Sequence, residues 1–324
     1  MTYNLKSWLA VCTTACLLFC AGAQAQKFPE RPIKIVVPFG PGGLGDVSAR
    51  IVAKKMSDQM GQQVFIENLP SAGGITAAQN VAHSTPDGYT LFLLTNANAV
   101  APALFKSLPY NALTDFQPIS TLGFFDIMLV VDNASPLKTV ADVIAAAKKN
   151  PDKFNTGSIV TGSSQNLSAA LFTSMAGLSS PVVPFKTSGE VLTALKTGDI
   201  QIGFEMLPPI AGQLKAGSLR AIAVASAKRL PTMPEVPTIS EAGVPGYLST
   251  SWNGFAAPVK TPREVVLRLN AEITKALESA EVKKLLGDSG VEARPSTPEA
   301  FKSLLESETV KWRRVIEAAK IEKQ

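Results

Sequence analysis

A glycine-rich segment lies between an apolar stretch and an amphipathic stretch near the start of the chain, within residues 33–53 (IKIVVPFGPGGLGDVSARIVA). Gly40, Gly42 and Gly43 fall where the chain would pass from a β-strand into a helix, and Asp46 follows them. Such a turn leaves backbone N–H groups without partners at a helix N-terminus, where the helix dipole favours negative charge. The segment therefore predicts a binding site for an anion.

The glycines Gly40, Gly42 and Gly45 also have the G-x-G-x-x-G spacing that binds dinucleotides in Rossmann folds. In that pattern an acidic residue follows roughly 20 residues later, and Glu67 ends the next predicted strand. One hypothesis is therefore an exported enzyme that uses a dinucleotide. The compartment predicted from the N-terminus disfavours this hypothesis.

Residues 1–25 have the pattern of a secretory signal peptide that is removed on export. Lys6 is the single charged residue, an apolar run extends from Trp8 to Cys20, and Ala23-Gln24-Ala25 precedes the predicted cleavage point. An apolar run of about 13 residues is too short to span a bilayer. We therefore expect a periplasmic protein. A chain exported unfolded would not carry a dinucleotide with it.

The residues needed for several common catalytic sites are scarce. All three cysteines lie in the predicted signal peptide, and the single histidine is His83, expected at the surface end of a helix. Catalytic triads and zinc sites need histidine or cysteine in fixed roles. We therefore expect no enzyme activity, no metal and no cofactor.

Basic residues exceed acidic residues, which gives a formal net charge of +5. They are dispersed as isolated pairs, without a basic stripe that interleaves with aromatic residues. Nucleic acid is therefore not an expected partner. The mild positive excess suits a small anionic ligand.

Short apolar segments alternate with amphipathic segments, which predicts an α/β fold with largely parallel sheets. Helix starts are marked by a capping box at Thr139 and by the threonine–proline pairs at Thr261 and Thr297. Residues 230–250 are rich in proline and glycine and predict an irregular connection. The predicted strands are Ile33–Val37, Val64–Glu67, Thr90–Leu94, Ile127–Val131, Val182–Phe185, Ile200–Phe204 and Leu219–Ala225.

Five loops with glycine, hydroxyl and amide residues follow predicted strands, at residues 39–46, 68–74, 95–98, 161–164 and 186–189. Open α/β sheets bind ligands at the carboxyl ends of their strands. Each loop taken singly is also explained by ordinary turn chemistry. Their common position predicts a site that recognises its ligand by hydrogen bonds, without an evident acid–base pair.

Several segments resemble the periplasmic solute receptors of tripartite tricarboxylate transporters, known as TctC-like or Bug receptors. They are FPERPIKIVVPFGPGGLGDVSARIVA, VFIENLPSAGG, PDGYTLFLLT, MPEVPTISEAGVPGY, WNGFAAPVKTPREVVLRLNAEITKAL and KWRRVIEAAKI, spread over the whole predicted mature chain. The resemblance implies a two-lobed α/β periplasmic binding protein, type II-like, with a ligand cleft between two mixed sheets. Lobe I would comprise residues 26–123 plus 251–324, and lobe II residues 124–250. The chain would cross between the lobes near Leu122–Phe125 and Thr250–Trp252.

The resemblance also implies a function and a site. The receptor would capture a small carboxylate (a di- or tricarboxylate, an aromatic acid or an amino-acid-like ligand) and deliver it to a membrane permease of the tripartite tricarboxylate type. A monomer is expected, and a ligand sensor for a membrane signalling partner is an alternative. Lobe I would hold a carboxylate largely through backbone N–H groups, while lobe II reads the rest of the ligand. The predicted ligand-binding residues are Phe39, Gly40, Gly42, Gly43, Asp46, Ser71, Ala72, Gly73, Gly74, Thr95 and Asn96, with Gly162, Ser163, Ser164, Lys186, Ser188 and Glu205.

The chain departs from many relatives in three places, one of which is Asn166, where relatives often have a histidine. Leu44-Gly45 stands where many have two hydroxyl residues, and Glu205 stands near the place of an aspartate. Glu205 would either bind a ligand amine or pair structurally with Lys186, and both alternatives stay open. A valine at Gly43 or Gly74 is expected to abolish binding, because it would fill the carboxylate's space or block a positive φ.

Overall fold

A computed structural model describes residues 28–71 and 74–323. The predicted signal peptide and two predicted site residues, Ala72 and Gly73, lie outside the described residues. No helix within these ranges is both long and apolar enough to cross a membrane.

The described chain alternates strands and helices along most of its length. The strands are β1 (Ile33–Val37), β2 (Val64–Asn68), β3 (Thr90–Thr95), β4 (Phe116–Asp132), β5 (Thr156–Ile159), β6 (Val182–Phe185), β7 (Ile202–Met206), β8 (Leu219–Val224), β9 (Thr250–Pro258) and β10 (Val291–Ala293). The helices are α1 (Leu44–Met60), α2 (Ile75–Ala82), α3 (Asn96–Leu104), α4 (Val140–Lys149), α5 (Ser164–Met175), α6 (Ser188–Thr197), α7 (Leu207–Lys215), α8 (Arg263–Glu278), α9 (Ala280–Asp288) and α10 (Pro298–Ala318), with a short 3₁₀ turn at Pro151–Lys153.

The strands form a mixed sheet in the order β2-β1-β3-β9-β4-β7-β5-β6, while β8 and β10 pair with β4 outside this path. The pairs β1–β2, β1–β3, β5–β6 and β5–β7 are parallel. Every pairing of β4, and that of β3 with β9, is antiparallel. The prediction of largely parallel sheets is therefore wrong for the centre of the sheet, where β9 returns alongside β3 in the opposite direction.

The molecule has two lobes, and the long strand β4 belongs to both. From Phe116 to Asp126 it pairs with β9, and residues Gly123–Phe125 also pair with β10. From Ile127 to Asp132 it pairs with β7 and β8. The sheet therefore passes without a break from one half of the molecule to the other.

Each half buries both faces of its sheet, as expected for parallel strands covered by helices. In β1, Ile33 and Ile35 pack into a core with residues of α1 and α8, whereas Val36 packs into another core with α3 and α10. Successive side chains of a strand point to opposite faces, which explains this alternation. The second half has two further cores, which contain Leu129 and Val130 respectively.

Several local predictions are confirmed. β1 and β6 have the predicted bounds, and the side chains of Thr139 and Thr297 cap α4 and α10. The predicted N-cap at Thr261 is wrong by one residue, because α8 begins at Arg263 and Pro262 occupies the cap position. The segment between β8 and β9 is irregular, as predicted.

The substitution Gly254→Ala tests how tightly the central strands pack. An added Cβ there would lie 2.6 Å from the Ser120 carbonyl oxygen and would also strike the Phe301 ring. We expect Gly254→Ala to lower the free energy of unfolding by about 1–3 kcal/mol, measured by urea denaturation. Gly212→Ala is the control, since its Cβ would meet no atom within 4 Å and should gain roughly 0.5–1 kcal/mol in helix propensity. Equal stability of the two variants would contradict this account.

Candidate functional site

The glycine-rich turn between β1 and α1 lies at the carboxyl end of β1. Gly42 has φ +87°, a left-handed conformation that favours glycine. Gly43 is the N-cap of α1, with φ −74°. A Cβ at Gly45 would lie 2.9 Å from the Phe39 ring, so this glycine lets the first turn of α1 approach Phe39 closely.

Asp46 holds this turn in place. Its Oδ2 accepts hydrogen bonds from the Gly42 backbone N–H and from Arg50 Nε, both at 2.9 Å. Its Oδ1 accepts one from Asn68 Nδ2 at 2.8 Å. Burial by itself would raise the pKa of Asp46, but these hydrogen bonds and the Arg50 charge outweigh it and lower the pKa. Asp46 therefore stabilises the glycine loop from behind.

The turn before α2 is built around Gly74, which has φ +67°. A Cβ at this position would lie 2.8 Å from Pro38 Cβ. A valine at Gly43 or Gly74 is predicted to abolish binding, in part by blocking a positive φ. Gly74 does have a positive φ. Gly43 does not, because its φ is −74°, and a Cβ there would meet no atom within 4 Å. Ser71 Oγ accepts a hydrogen bond from the Thr76 backbone N–H at 3.0 Å and so fixes the start of the helix.

A capping box fixes the start of α3. The side-chain oxygen of Asn98 accepts hydrogen bonds from the Thr95 backbone N–H at 2.9 Å and the Thr95 hydroxyl at 3.1 Å. Asn98 in turn donates to the Tyr110 hydroxyl at 3.1 Å. The N-terminus of α3 is therefore rigidly placed at the end of β3.

The start of α5 lies against α3. The Ser163 hydroxyl caps α5 by accepting a hydrogen bond from the Asn166 backbone N–H at 3.1 Å. Gly162 has φ +81°, and a Cβ there would lie 2.5 Å from Leu104 of α3. Asn96 Nδ2 donates to Ser164 Oγ at 3.1 Å, which joins the first turns of the two helices directly.

These helix starts surround one cavity of about 220 Å³, which we call the central cavity. Leu44 and Gly45 belong to the first turn of α1, Ala97 to that of α3 and Gln165 to that of α5, while Met206 is the N-cap of α7. The first N–H groups of a helix have no acceptor within the helix and carry partial positive charge, and the starts of four helices lie at this space. Among the described residues, those that line it are Phe39, Leu44, Gly45, Thr95, Asn96, Ala97, Phe125, Ser164, Gln165, Met206, Ser251, Trp252 and Asn253, and none of these carries a charged side chain.

Four predicted site residues line the central cavity: Phe39, Thr95, Asn96 and Ser164. The other described residues of the predicted set lie outside its lining. They are Gly40, Gly42, Gly43, Asp46, Ser71, Gly74, Gly162, Ser163, Lys186, Ser188 and Glu205.

Sequence reasoning did not place the β9 residues Ser251, Trp252 and Asn253 or the strand residue Phe125 in the site. The one feature of the sequence that could have indicated them is the predicted crossing of the chain between the lobes. Residues at such a crossing border the cleft, where the ligand binds. Gln165 and Met206 sit one residue after a predicted site residue, so the neighbouring assignment could have found them.

Glu205 lies behind the cavity with none of its side chain exposed. Its Oε2 accepts a hydrogen bond from Ser188 Oγ at 2.9 Å, while its Oε1 has no partner in hydrogen-bonding geometry among the described residues. Burial raises the pKa of Glu205 to about 6, although the hydrogen bonds that it accepts oppose this rise. Lys186 does not provide the structural ion pair that the sequence left open; instead its backbone N–H donates to Glu190 Oε2 at 2.8 Å.

Asp46→Asn tests the electrostatic support of the glycine loop. Because the folded-state pKa lies below the ordinary value of 3.8, the ionised carboxylate stabilises the fold fully above that value. This contribution is lost as the pH falls through the lowered pKa. We expect the variant to have a lower Tm than the wild type at neutral pH and the difference to shrink as the pH falls below 3.8.

Thermal unfolding followed by circular dichroism across this pH range measures the effect. Asp58→Asn is the control, since Asp58 is exposed and only pairs with Lys54 at 3.4 Å on the surface of the same helix. A Tm difference for Asp46→Asn that did not change with pH would contradict the role of its charge.

Comparison with known proteins gives one consistent result. The family described as tripartite tricarboxylate transporter family receptor matches residues 48–321. BugT of Bordetella pertussis is 32% identical over 298 residues, which cover 91% of each chain. Two solved structures are similar: R. palustris Rpa4515 with adipate (34% identity, 92% of this chain and 100% of that chain, TM-score 0.78) and MatC from Rhodopseudomonas palustris with bound malate (33%, 89% and 100%, 0.73). The chain therefore belongs to the tripartite tricarboxylate transporter receptor family, as its motifs predicted.

Proposed function

We propose that this protein is a periplasmic receptor that binds a small organic carboxylate in the central cavity and delivers it to a tripartite tricarboxylate-type permease. The observation that carries the proposal is the convergence of four helix N-termini on a cavity whose described lining has no charged side chain. An anion there is stabilised by backbone N–H groups, which interact with a carboxylate without transferring a proton to it.

The helix N-termini alone do not supply enough free energy for tight binding of a carboxylate. A helix N-terminus contributes about 0.3–1 kcal/mol to binding an anion, and up to about 2 kcal/mol where it is partly buried. Micromolar binding needs about 8 kcal/mol. The difference has to come from direct hydrogen bonds, from contact with apolar residues such as Phe39, Phe125 and Trp252, and from closure of the lobes.

The size of the cavity favours a short ligand. About 220 Å³ is smaller than the roughly 300–1,000 Å³ of pockets that hold drug-sized ligands. The related proteins were solved with adipate and malate, both of which are short dicarboxylates. We assign the same class of ligand to this chain.

Glu205 is proposed to accept a hydrogen bond from the ligand once the lobes move, because in this structure its side chain is fully buried behind the cavity lining. Its Oε1 is buried without a partner in the part of the chain that the structure describes, and an unpaired buried acceptor costs free energy that a hydroxyl or amino group on the ligand would recover. This favours a ligand that carries such a donor in addition to its carboxylate. The predicted ligand-binding residues outside the cavity lining are proposed to shape the loops or to reach the ligand as the lobes move.

The lobe bounds, the export and the assembly state are part of the same proposal. Lobe I comprises residues 26–123 plus 251–324, and lobe II residues 124–250. β4 changes its pairing partners between Asp126 and Ile127, three residues after the proposed boundary, which supports the division approximately. Residues 1–25 direct export and are removed, and the receptor works as a monomer.

A dinucleotide-dependent enzyme is the alternative function. In a Rossmann site the acid after the second strand binds the ribose, but here Glu67 pairs with Lys34 at 2.7 Å. The third glycine of the motif, Gly45, packs closely against Phe39, as it also would in a Rossmann site, so it does not distinguish the two functions. The pairing of Glu67 with Lys34 therefore favours a receptor without enzyme activity.

Titration calorimetry of the mature protein, unfolded and refolded to remove copurified ligand, tests the function. Malate, adipate and a panel of other organic acids are the probes, with NAD as the alternative ligand. We expect saturable binding of at least one carboxylate and no binding of NAD. Binding of NAD without any carboxylate would overturn the proposal in favour of the enzyme.

Ser164→Ala tests the cavity itself. The variant removes a hydroxyl that lines the cavity and links Asn96 to Ser251. We expect affinity for the bound carboxylate to fall about 3- to 10-fold, the effect of losing one or two hydrogen bonds. Ser174→Ala, the same change at an exposed position of α5, should leave the affinity unchanged. Equal affinities of the two variants would place the ligand elsewhere.

A further inference from the structure

Asn96 lies in the first turn of α3, lines the central cavity and is 1% exposed. Its side-chain amide has two ends of opposite character, an oxygen that accepts hydrogen bonds and a nitrogen that donates two. The orientation of the amide therefore decides whether Asn96 attracts or repels a carboxylate beside it.

The indole of Trp312 determines this orientation. Trp312 belongs to α10 and is fully buried, and its Nε1 donates to Asn96 Oδ1 at 2.9 Å. An indole N–H can only donate, so it must meet the amide oxygen. Asn96 Nδ2 is then turned toward Ser164, to which it donates one hydrogen at 3.1 Å.

We propose that Trp312 is a positioning residue for ligand binding, which holds Asn96 so that its amide N–H groups, and not its oxygen, face the carboxylate site. The inference rests on the proposed function of the cavity. Trp312 lies outside the cavity lining and acts through Asn96.

Glu308 and Lys311, which also belong to α10, contact the Trp312 indole and fix its position. Glu308 Oε2 accepts from Trp312 Nε1 at 2.7 Å, so the indole hydrogen is shared between Glu308 and Asn96. Lys311 Nζ lies 2.5 Å from Glu308 Oε1 and 4.3 Å from the centre of the Trp312 ring. The Lys311 charge balances Glu308, and the three residues form one cluster at spacings of three and four on a single helix face.

The hydrogen bonds beyond Asn96 run in a single direction. Asn96 donates to Ser164, and Ser164 Oγ donates to Ser251 Oγ of β9 at 3.1 Å. Hydrogen bonds in such a chain polarise one another. The orientation set by Trp312 therefore extends along the cavity wall to β9.

The orientation is tested first without ligand. In ¹⁵N-labelled protein, Trp312→Phe removes the indole donor, and we expect the Asn96 side-chain NH₂ signals to shift and broaden as the amide becomes free to turn. Tyr247→Phe is the matched control, because it also removes a buried aromatic donor. The Tyr247 hydroxyl donates to the Ser168 carbonyl at 2.8 Å and not to Asn96. Unchanged Asn96 signals in Trp312→Phe would overturn the proposal.

Binding is tested with malate and adipate. We expect Trp312→Phe to bind the better probe about five-fold more weakly, the loss of about one oriented hydrogen bond, whereas Tyr247→Phe keeps the wild-type affinity. Replacing Trp312 by 3-benzothienylalanine, which keeps the ring shape and lacks the N–H, should give the same loss even if the phenylalanine variant folds poorly. Wild-type affinity in the benzothienyl variant would overturn the inference.

The two tests separate this inference from the proposed function. If the wild-type protein binds no carboxylate, the proposed function fails, while the signals of ligand-free Asn96 still show whether Trp312 orients the amide. If the wild type binds and only the orientation test fails, the function stands without a role for Trp312.

Discussion

Free backbone N–H groups at buried helix starts are the constraint on which this structure depends. Such groups are costly to bury without partners, yet they must stay available for an anion. The chain meets both requirements with side chains that bind the turns from behind, as Asp46 does for Gly42, Asn98 for Thr95 and Ser163 for the first turn of α5. The donors at the cavity are thereby fixed before any ligand enters, which reduces the entropy lost on binding.

The absence of charge among the described lining residues of the central cavity follows the same logic. A lysine or arginine there would bind a carboxylate strongly but would need its own partner when the site is empty. Helix dipoles supply a weaker and fixed positive potential that needs no counterion. The buried ionisable groups Asp46 and Glu205 lie one layer behind the lining, where they organise loops and neighbouring side chains.

The central strands β4 and β9 explain how the two halves share one site. Both run through the middle of the sheet, and their residues Phe125, Ser251 and Asn253 line the cavity where helices of the two halves meet. α5 adds a second link, since Leu167 packs into the same core as Trp312 of α10. A ligand at this junction contacts parts of the chain that are far apart in sequence.

The sequence by itself determined the local features: the strands β1 and β6, the caps at Thr139 and Thr297, the glycine loop and the family, because hydrophobic period, capping chemistry and motif order are properties of neighbouring residues. It also indicated Phe39, Thr95, Asn96 and Ser164. Only the tertiary structure decided that β9 lies antiparallel between β3 and β4, and that Trp312 orients Asn96 across 216 positions of the chain. Strand order and side-chain orientation depend on contacts between distant segments, which no local pattern encodes.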